Sequence, residues 1–291
     1  MREFSRRHPL SVFIYFFTVI LFSIFFTHPV CLIISAVSSY ACLLTAEGKK
    51  SSLSALKFII PVMISAAVIN ALFNHKGATI LAYFPGGNPL TLESLIYSAA
   101  ASALIFSVIC RFLHFNKVMT NDKIIYIFGK TSPNLSLAVS MTLRLVPRFR
   151  NQIRIVSNAR RCIGKNSGGG IILKAKNALT VFSAMITWIL ENSIETADSM
   201  KSRGFGQKGR TAFSIYKLRK TDIHIIIITL ISGLYIFIGA LCGNFRFNYF
   251  PLVTEISRDI YSVTLFGAYF ILSVLPVISE IVEEIKWKFL R

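Results

Sequence analysis

Charge is what this chain has little of. Asp, Glu, Lys and Arg together make up 15% of its 291 residues, against about 25% in a soluble globular domain. The acids are scarcest: 13 Asp and Glu stand against 32 Lys and Arg, a net charge of +19. Apolar residues reach 54%, and Phe alone occurs 25 times. One soluble core cannot bury so much, so much of the surface is expected to face lipid, and disorder is excluded. The five cysteines are scattered and form no CxxC pair. They read as small buried hydrophobes rather than a disulfide framework or a zinc site. The five histidines make no HExxH pattern, and each reads as an interfacial or turn residue. Gly129-Lys130-Thr131 resembles the tail of a phosphate loop, but position 124, where the first glycine belongs, is Ile124. ATP binding by that route is therefore not expected. Neither a cofactor nor a metal is expected.

What is present is a set of apolar runs. Six segments, 10–26, 30–46, 58–73, 94–110, 225–243 and 260–279, contain no Asp, Glu, Lys or Arg. Their lengths lie at the short end of the range for membrane spans. The first is not a cleavable signal peptide, because a second span follows at once across Thr27-His28-Pro29. Asn70 is the most polar residue within a span and reads as a helix–helix hydrogen bonder. Intramembrane relay residues are otherwise missing. With a cytoplasmic N-terminus, the inside segments carry 29 Lys and Arg and the outside segments only Lys76, Arg246 and Arg258. That split is strong positive-inside behaviour. It places both termini in the cytoplasm and explains the basicity by topology. The bilayer, not nucleic acid, is the expected environment of the charge.

The long inside segment 111–222 is not a polar domain. Its apolar stretches at 124–128, 135–143 and 178–190 are too short to span, and Arg144 and Pro147 interrupt the second. The third reads as a buried or interfacial helix of 13 residues, with Leu179, Phe182, Met185, Ile186 and Ile189 at helical spacing. Glu191, Glu195 and Asp198 form an acidic row on another face, either solvated or paired with Arg148, Arg150 and Arg154. Residues 165–170 read as a flexible turn. The last helix is expected to stop at Arg203, followed by Gly204 and Gly206.

Four places in the chain resemble one family. They are His8-Pro9-Leu10; the pair Leu72-Phe73-Asn74-His75-Lys76-Gly77 and Gly87-Asn88-Pro89-Leu90-Thr91-Leu92-Glu93; Arg144-Leu145-Val146-Pro147-Arg148-Phe149; and the run from Glu191 to Gly206. Together they resemble the transmembrane T component (EcfT/CbiQ type) of energy-coupling factor transporters. The resemblance implies importers of vitamins or transition-metal ions such as cobalt. In these, two cytoplasmic ATPase subunits supply energy, a membrane S component binds substrate, and the T component joins them through long coupling helices. Each of two such helices ends in an arginine motif that docks on one ATPase. Ser202-Arg203-Gly204 matches the second motif. The first falls in Ala159-Arg160-Arg161-Cys162-Ile163-Gly164, where Arg160 and Arg161 are both candidates and the fuller family form puts Ile163 at the key position. A guanidinium suits the task because its rigid fork pairs bidentately with carboxylates and stays charged when partly desolvated.

The expected fold class is thus an all-α polytopic integral membrane protein with about six transmembrane helices and long amphipathic cytoplasmic coupling helices. Residues 1–113 would form a membrane bundle of about four spans, 114–221 the coupling-helix region and 222–291 two further spans. The chain itself is expected to be non-catalytic. A conventional ABC-type permease would need polar positions lining its spans. An integral membrane enzyme would need an acid or histidine constellation in 111–221, where the acids are only Asp122, Glu191, Glu195 and Asp198.

Overall fold

A computed structural model describes residues 3–83, 89–131, 133–164, 170–205, 207, 216–251 and 259–289. After a 3-10 turn at Glu3–Arg6 the helices are α1 (Pro9–Phe25), α2 (Pro29–Glu47), α3 (Lys49–Phe73), α4 (Leu92–Val118), α5 (Asn121–Thr131), α6 (Pro133–Cys162), α7 (Ile171–Ser202), α8 (Lys220–Leu241) and α9 (Ile260–Phe289). The strands β1 (Ile80–Tyr83) and β2 (Pro89–Thr91) pair antiparallel between α3 and α4. This small ribbon is an addition to the all-helical expectation. The chain divides into two compact units: residues 1–124 with 216–291, and residues 125–215.

The first unit is a helix bundle. α2 packs on α4 and α9, α1 on α4 and α8, and α3 chiefly on α4. Helices α2, α3, α4, α8 and α9 are long and apolar enough to cross a membrane, while α1, at 17 residues, is a shorter apolar helix. The helices overrun the segments drawn from hydropathy. α3 starts at Lys49 rather than 58, and α4 continues past Cys110 to Val118. The buried face of α2 carries small side chains, Cys31, Ser35, Ser38, Ser39 and Cys42, and that of α4 carries Ser94, Ser98 and Ser102 at four-residue spacing. Small residues let membrane helices approach closely. Some of their hydroxyls bond back to their own helices, as in Ser98 Oγ to Ser94 O at 2.7 Å and Ser102 Oγ to Ala99 O at 2.8 Å, while Ser35 Oγ donates to Ser23 Oγ of α1 at 3.0 Å and Ser94 Oγ to the Asn74 carbonyl.

The extension of α4 brings a charge into this bundle. Arg111 is fully buried. Its Nη2 donates to Ser38 Oγ at 2.6 Å, and its Nη1 donates to the Ser273 carbonyl at 3.1 Å, with Tyr15 Oη at 3.4 Å and Cys42 Sγ at 3.6 Å. Its Nε has no partner. The ion pairs among the described residues lie elsewhere, between Arg7 and both Asp222 and Glu283. Arg111 is therefore a cation held by neutral dipoles from α1, α2 and α9. Pro276 helps to supply one of them. A proline inside a helix removes a hydrogen bond and loosens the preceding turn, and the Ser273 carbonyl lies in that turn of α9. It also accepts from Tyr15 Oη at 3.2 Å.

Two helices begin the same way. His8 and His28 each precede a proline, and the Nδ1 of each accepts from a backbone N–H two residues on, Leu10 at 3.2 Å and Val30 at 3.3 Å. The proline at the first helical position has no N–H to leave unsatisfied. An accepting Nδ1 requires the neutral ring, protonated on Nε2. His28 is buried against Phe247 and Phe266, and burial holds its pKa below the ordinary histidine value. The folded chain thus binds fewer protons here than the unfolded chain. The cap's contribution is complete above the unfolded pKa of about 6.5 and is lost as pH falls through the lower folded value. His28→Ala should cost about 1 kcal/mol at neutral pH and less at acid pH. His28→Asn should keep the cap and remove its pH dependence. Thermal unfolding in nanodiscs between pH 7.5 and 5 measures both.

Candidate functional site

The second unit contains α6 and α7, helices of 30 and 32 residues. They run antiparallel, as two contacts establish: Phe149 meets Trp188 edge-on with ring centroids 5.9 Å apart, and Arg160 meets Asn177. The half-buried positions of α6 are Leu137, Met141, Leu145, Phe149, Val156 and Arg160 among others, a spacing close to the helical repeat. On α7 the corresponding stripe passes through Asn177, Val181, Met185, Trp188 and Asn192, with Met185 fully buried.

The structure revises several expectations for this region. The apolar stretch 178–190 forms the middle of α7. Of its apolar stripe only Met185 is buried, while Leu179 and Phe182 are more than 60% exposed. Pro147, which interrupts the second apolar stretch, lies inside a continuous α6. The carbonyl it leaves without a donor belongs to Leu143, and both residues lie on the exposed face, where another donor can reach that oxygen. Glu191, Glu195 and Asp198 are exposed and make no ion pair among the described residues, so the row is a solvated face. Most of the turn expected at 165–170, together with Gly206, lies outside the described residues.

The end of α7 is built in detail. The Gly204 N–H bonds the Lys201 carbonyl at 3.0 Å, and the Phe205 N–H bonds the Met200 carbonyl at 3.0 Å. Gly204 has φ +78°, the left-handed conformation that a residue with a Cβ rarely adopts. These bonds define a Schellman stop. They place Arg203 at the cap position, exposed, with Ser202 exposed just before it. Arg203 also lines the wall of a groove of about 1040 Å³ between α6 and α7, with Leu137, Met141, Arg144, Glu195 and Met200.

The end of α6 uses the same device. The Gly164 N–H bonds the Arg161 carbonyl at 3.0 Å, and Gly164 has φ +74°. Ala159 and Arg161 are exposed in the last turn. Arg160 is not: its Nη1 donates to the Asn177 carbonyl at 3.0 Å and its Nη2 to Asn177 Oδ1 at 3.1 Å. Its fork is spent on α7, tying the two helices together. The residue at the cap position, equivalent to Arg203, is Ile163, which is 70% exposed. Sequence reasoning could name Ile163 only as the outcome of one alignment, because the left-handed glycine that fixes the frame is a backbone fact.

Comparison with known proteins bears on this arrangement. The chain is 30% identical over 99 residues to the energy-coupling factor transporter transmembrane protein EcfT of Lactobacillus helveticus, a stretch covering 33% of this chain and 36% of that protein. It is 25% identical over 112 residues to the EcfT of Streptococcus equi subsp. equi, covering 38% and 42%. It is 27% identical over 107 residues to that of Lactococcus lactis subsp. cremoris, covering 35% and 40%. Over about a third of its length the chain is similar to EcfT. The matched stretch spans only about two fifths of these curated relatives. No family model matches the chain. With five helices long and apolar enough to cross a membrane among its described residues, the chain is a multi-pass membrane protein. Among the described residues no three His, Cys, Asp or Glu side chains cluster to hold a metal ion.

Proposed function

We propose that this protein is the T component of an energy-coupling factor importer of vitamins or transition-metal ions. It would link two cytoplasmic ATPase subunits to a substrate-binding S component and hydrolyse no ATP itself. In this reading residues 1–113 and 222–291 form the membrane part, 114–221 carries the coupling helices, and both termini are cytoplasmic. The observation that carries it is the end of α7. An exposed arginine caps a 32-residue helix at a Schellman stop, in a chain related to EcfT. An exposed guanidinium at a fixed helix end offers a rigid, bidentate contact to a carboxylate-lined groove. The 29-to-3 distribution of Lys and Arg supports placing that end on the cytoplasmic side.

Mild-detergent purification of the tagged protein tests the reading. Two ATPase chains carrying phosphate loops, and one small membrane protein, should be recovered with it. ATP turnover should require the two ATPase chains. Recovery of the protein alone, or ATP turnover in a preparation free of other chains, would count against it.

A further inference from the structure

We infer that the two helix ends present unlike contact residues, Ile163 on α6 and Arg203 on α7, and so fit two ATPase subunits of different pocket chemistry. The inference rests on the docking reading proposed above and adds to it the nature of each partner surface. The two ends can be compared residue by residue, because each is fixed by a left-handed glycine whose N–H bonds the carbonyl three residues back, at 3.0 Å in both. Counting back from Gly164 and Gly204, Ile163 matches Arg203, Cys162 matches Ser202, Arg161 matches Lys201 and Arg160 matches Met200.

Neither arginine of α6 occupies the cap. Arg160 is bound twice by Asn177 and cannot offer its fork to a partner without opening the α6–α7 hairpin. Arg161 stands two residues before the cap, and residues two apart on a helix do not share a face. The exposed cap residue is Ile163, and past the turn α7 opens with Ile171 and Ile172, each 87% exposed. The cap at this end is aliphatic, with Arg161, Lys174 and Lys176 exposed around it, whereas the other cap is a guanidinium. A pocket built for one would reject the other. A carboxylate pocket would be left unpaired against isoleucine, and an apolar pocket would strip water from arginine without compensation. The geometry therefore assigns an apolar pocket to the subunit at Ile163 and a carboxylate pocket to the subunit at Arg203. Two copies of one ATPase chain would serve poorly, and a heterodimer would be held in one orientation.

The test uses the full chain in nanodiscs and the ATPase chains recovered with the unaltered protein, expressed separately and titrated one at a time. Ile163→Asp should weaken one ATPase chain by about 10- to 100-fold, the worth of burying one aliphatic side chain, and leave the other within twofold. Arg203→Ala should do the reverse. Arg161→Ala should leave both within twofold. Arg160→Ala should weaken binding at the α6 end, and Asn177→Ala should do so less, since it removes only the Oδ1 half of the tie and leaves the backbone carbonyl in place. If Arg161→Ala abolishes binding while Ile163→Asp does not, the contact is an arginine, and this inference fails although docking stands. If one ATPase chain binds both ends equally, it fails in the same way. If neither Ile163→Asp nor Arg203→Ala changes either titration, the docking reading itself is wrong. A fluorophore on Cys162, in a Cys242→Ser background, should be shielded by ATPase addition. Quenching by spin-labelled lipid that ATPase addition does not relieve would mean that the bilayer covers this end, and would overturn the assignment.

Discussion

Stripping Arg111 of its acceptors should harm the protein more than removing Arg111 itself. In the double variant Tyr15→Phe, Ser38→Ala the guanidinium would stay buried and charged, with its shortest bond, 2.6 Å to Ser38 Oγ, gone. It would keep only the Ser273 carbonyl and the Cys42 thiol, and a buried charge short of partners costs up to about 3–5 kcal/mol. Arg111→Met also loses these bonds but takes the charge with it. What it leaves behind is largely satisfied: the Ser273 carbonyl keeps Tyr15 Oη at 3.2 Å, and Ser38 Oγ keeps the Ser35 carbonyl at 3.2 Å. Interhelical hydrogen bonds in membranes average about 0.6 kcal/mol each, so losing the four that Arg111 makes should cost about 2 kcal/mol. Combining all three changes should restore stability to near that of Arg111→Met. Unfolding in bicelles by denaturing detergent ranks the variants. An Arg111→Met protein less stable than the acceptor double would show that the positive charge, not its satisfaction, holds α1, α2 and α9 around α4.

The second large effect is expected at Arg203. If its contact is a buried, hydrogen-bonded charge pair, truncation to alanine costs ~2–5 kcal/mol, a loss of ~30- to several-thousand-fold in affinity for one ATPase subunit. Folding should be unaffected, because Arg203 is exposed and the stop is made by backbone bonds and Gly204. Arg203→Lys should rescue only in part, since a lysine keeps the charge and loses the fork. Lys208 and Arg210, outside the described residues, carry the same charge and serve as controls. Equal damage from replacing them would mean that basicity alone matters. Binding measured by titration, alongside uptake and ATP turnover in proteoliposomes, separates weakened assembly from uncoupling.

Much of this was legible in the sequence. Apolar runs free of charge located the spans, and Arg203-Gly204 located a helix stop. The misses have physical causes. Arg111 fell one residue outside a span because spans were drawn to exclude charge, and only packing shows that Ser38 and a carbonyl loosened by Pro276 receive it. Pro147 interrupts an apolar stretch without ending the helix, because the carbonyl it orphans, that of Leu143, is exposed. The first arginine motif was ambiguous because the sequence cannot tell which glycine turns left-handed or which arginine is tied to Asn177. The β1–β2 ribbon left no trace, being two very short strands.

The antiparallel course of α6 and α7 also sets a length. Ile163 lies beyond the start of α7 and Arg203 at its end, so the two exposed caps point out of opposite ends of one hairpin. At 1.5 Å per residue, the 32 residues of α7 hold them about 45–50 Å apart. The hairpin is pinned at one end by Arg160 and Asn177 and parted at the other by the groove beside Arg203. It is a ruler with one stiff end and one yielding end. Both caps are fixed to α7, so two bodies gripping them are held at that spacing, while opening or closing the groove moves the N-terminal part of α6, a motion that a probe pair across Met141 and Met200 would register.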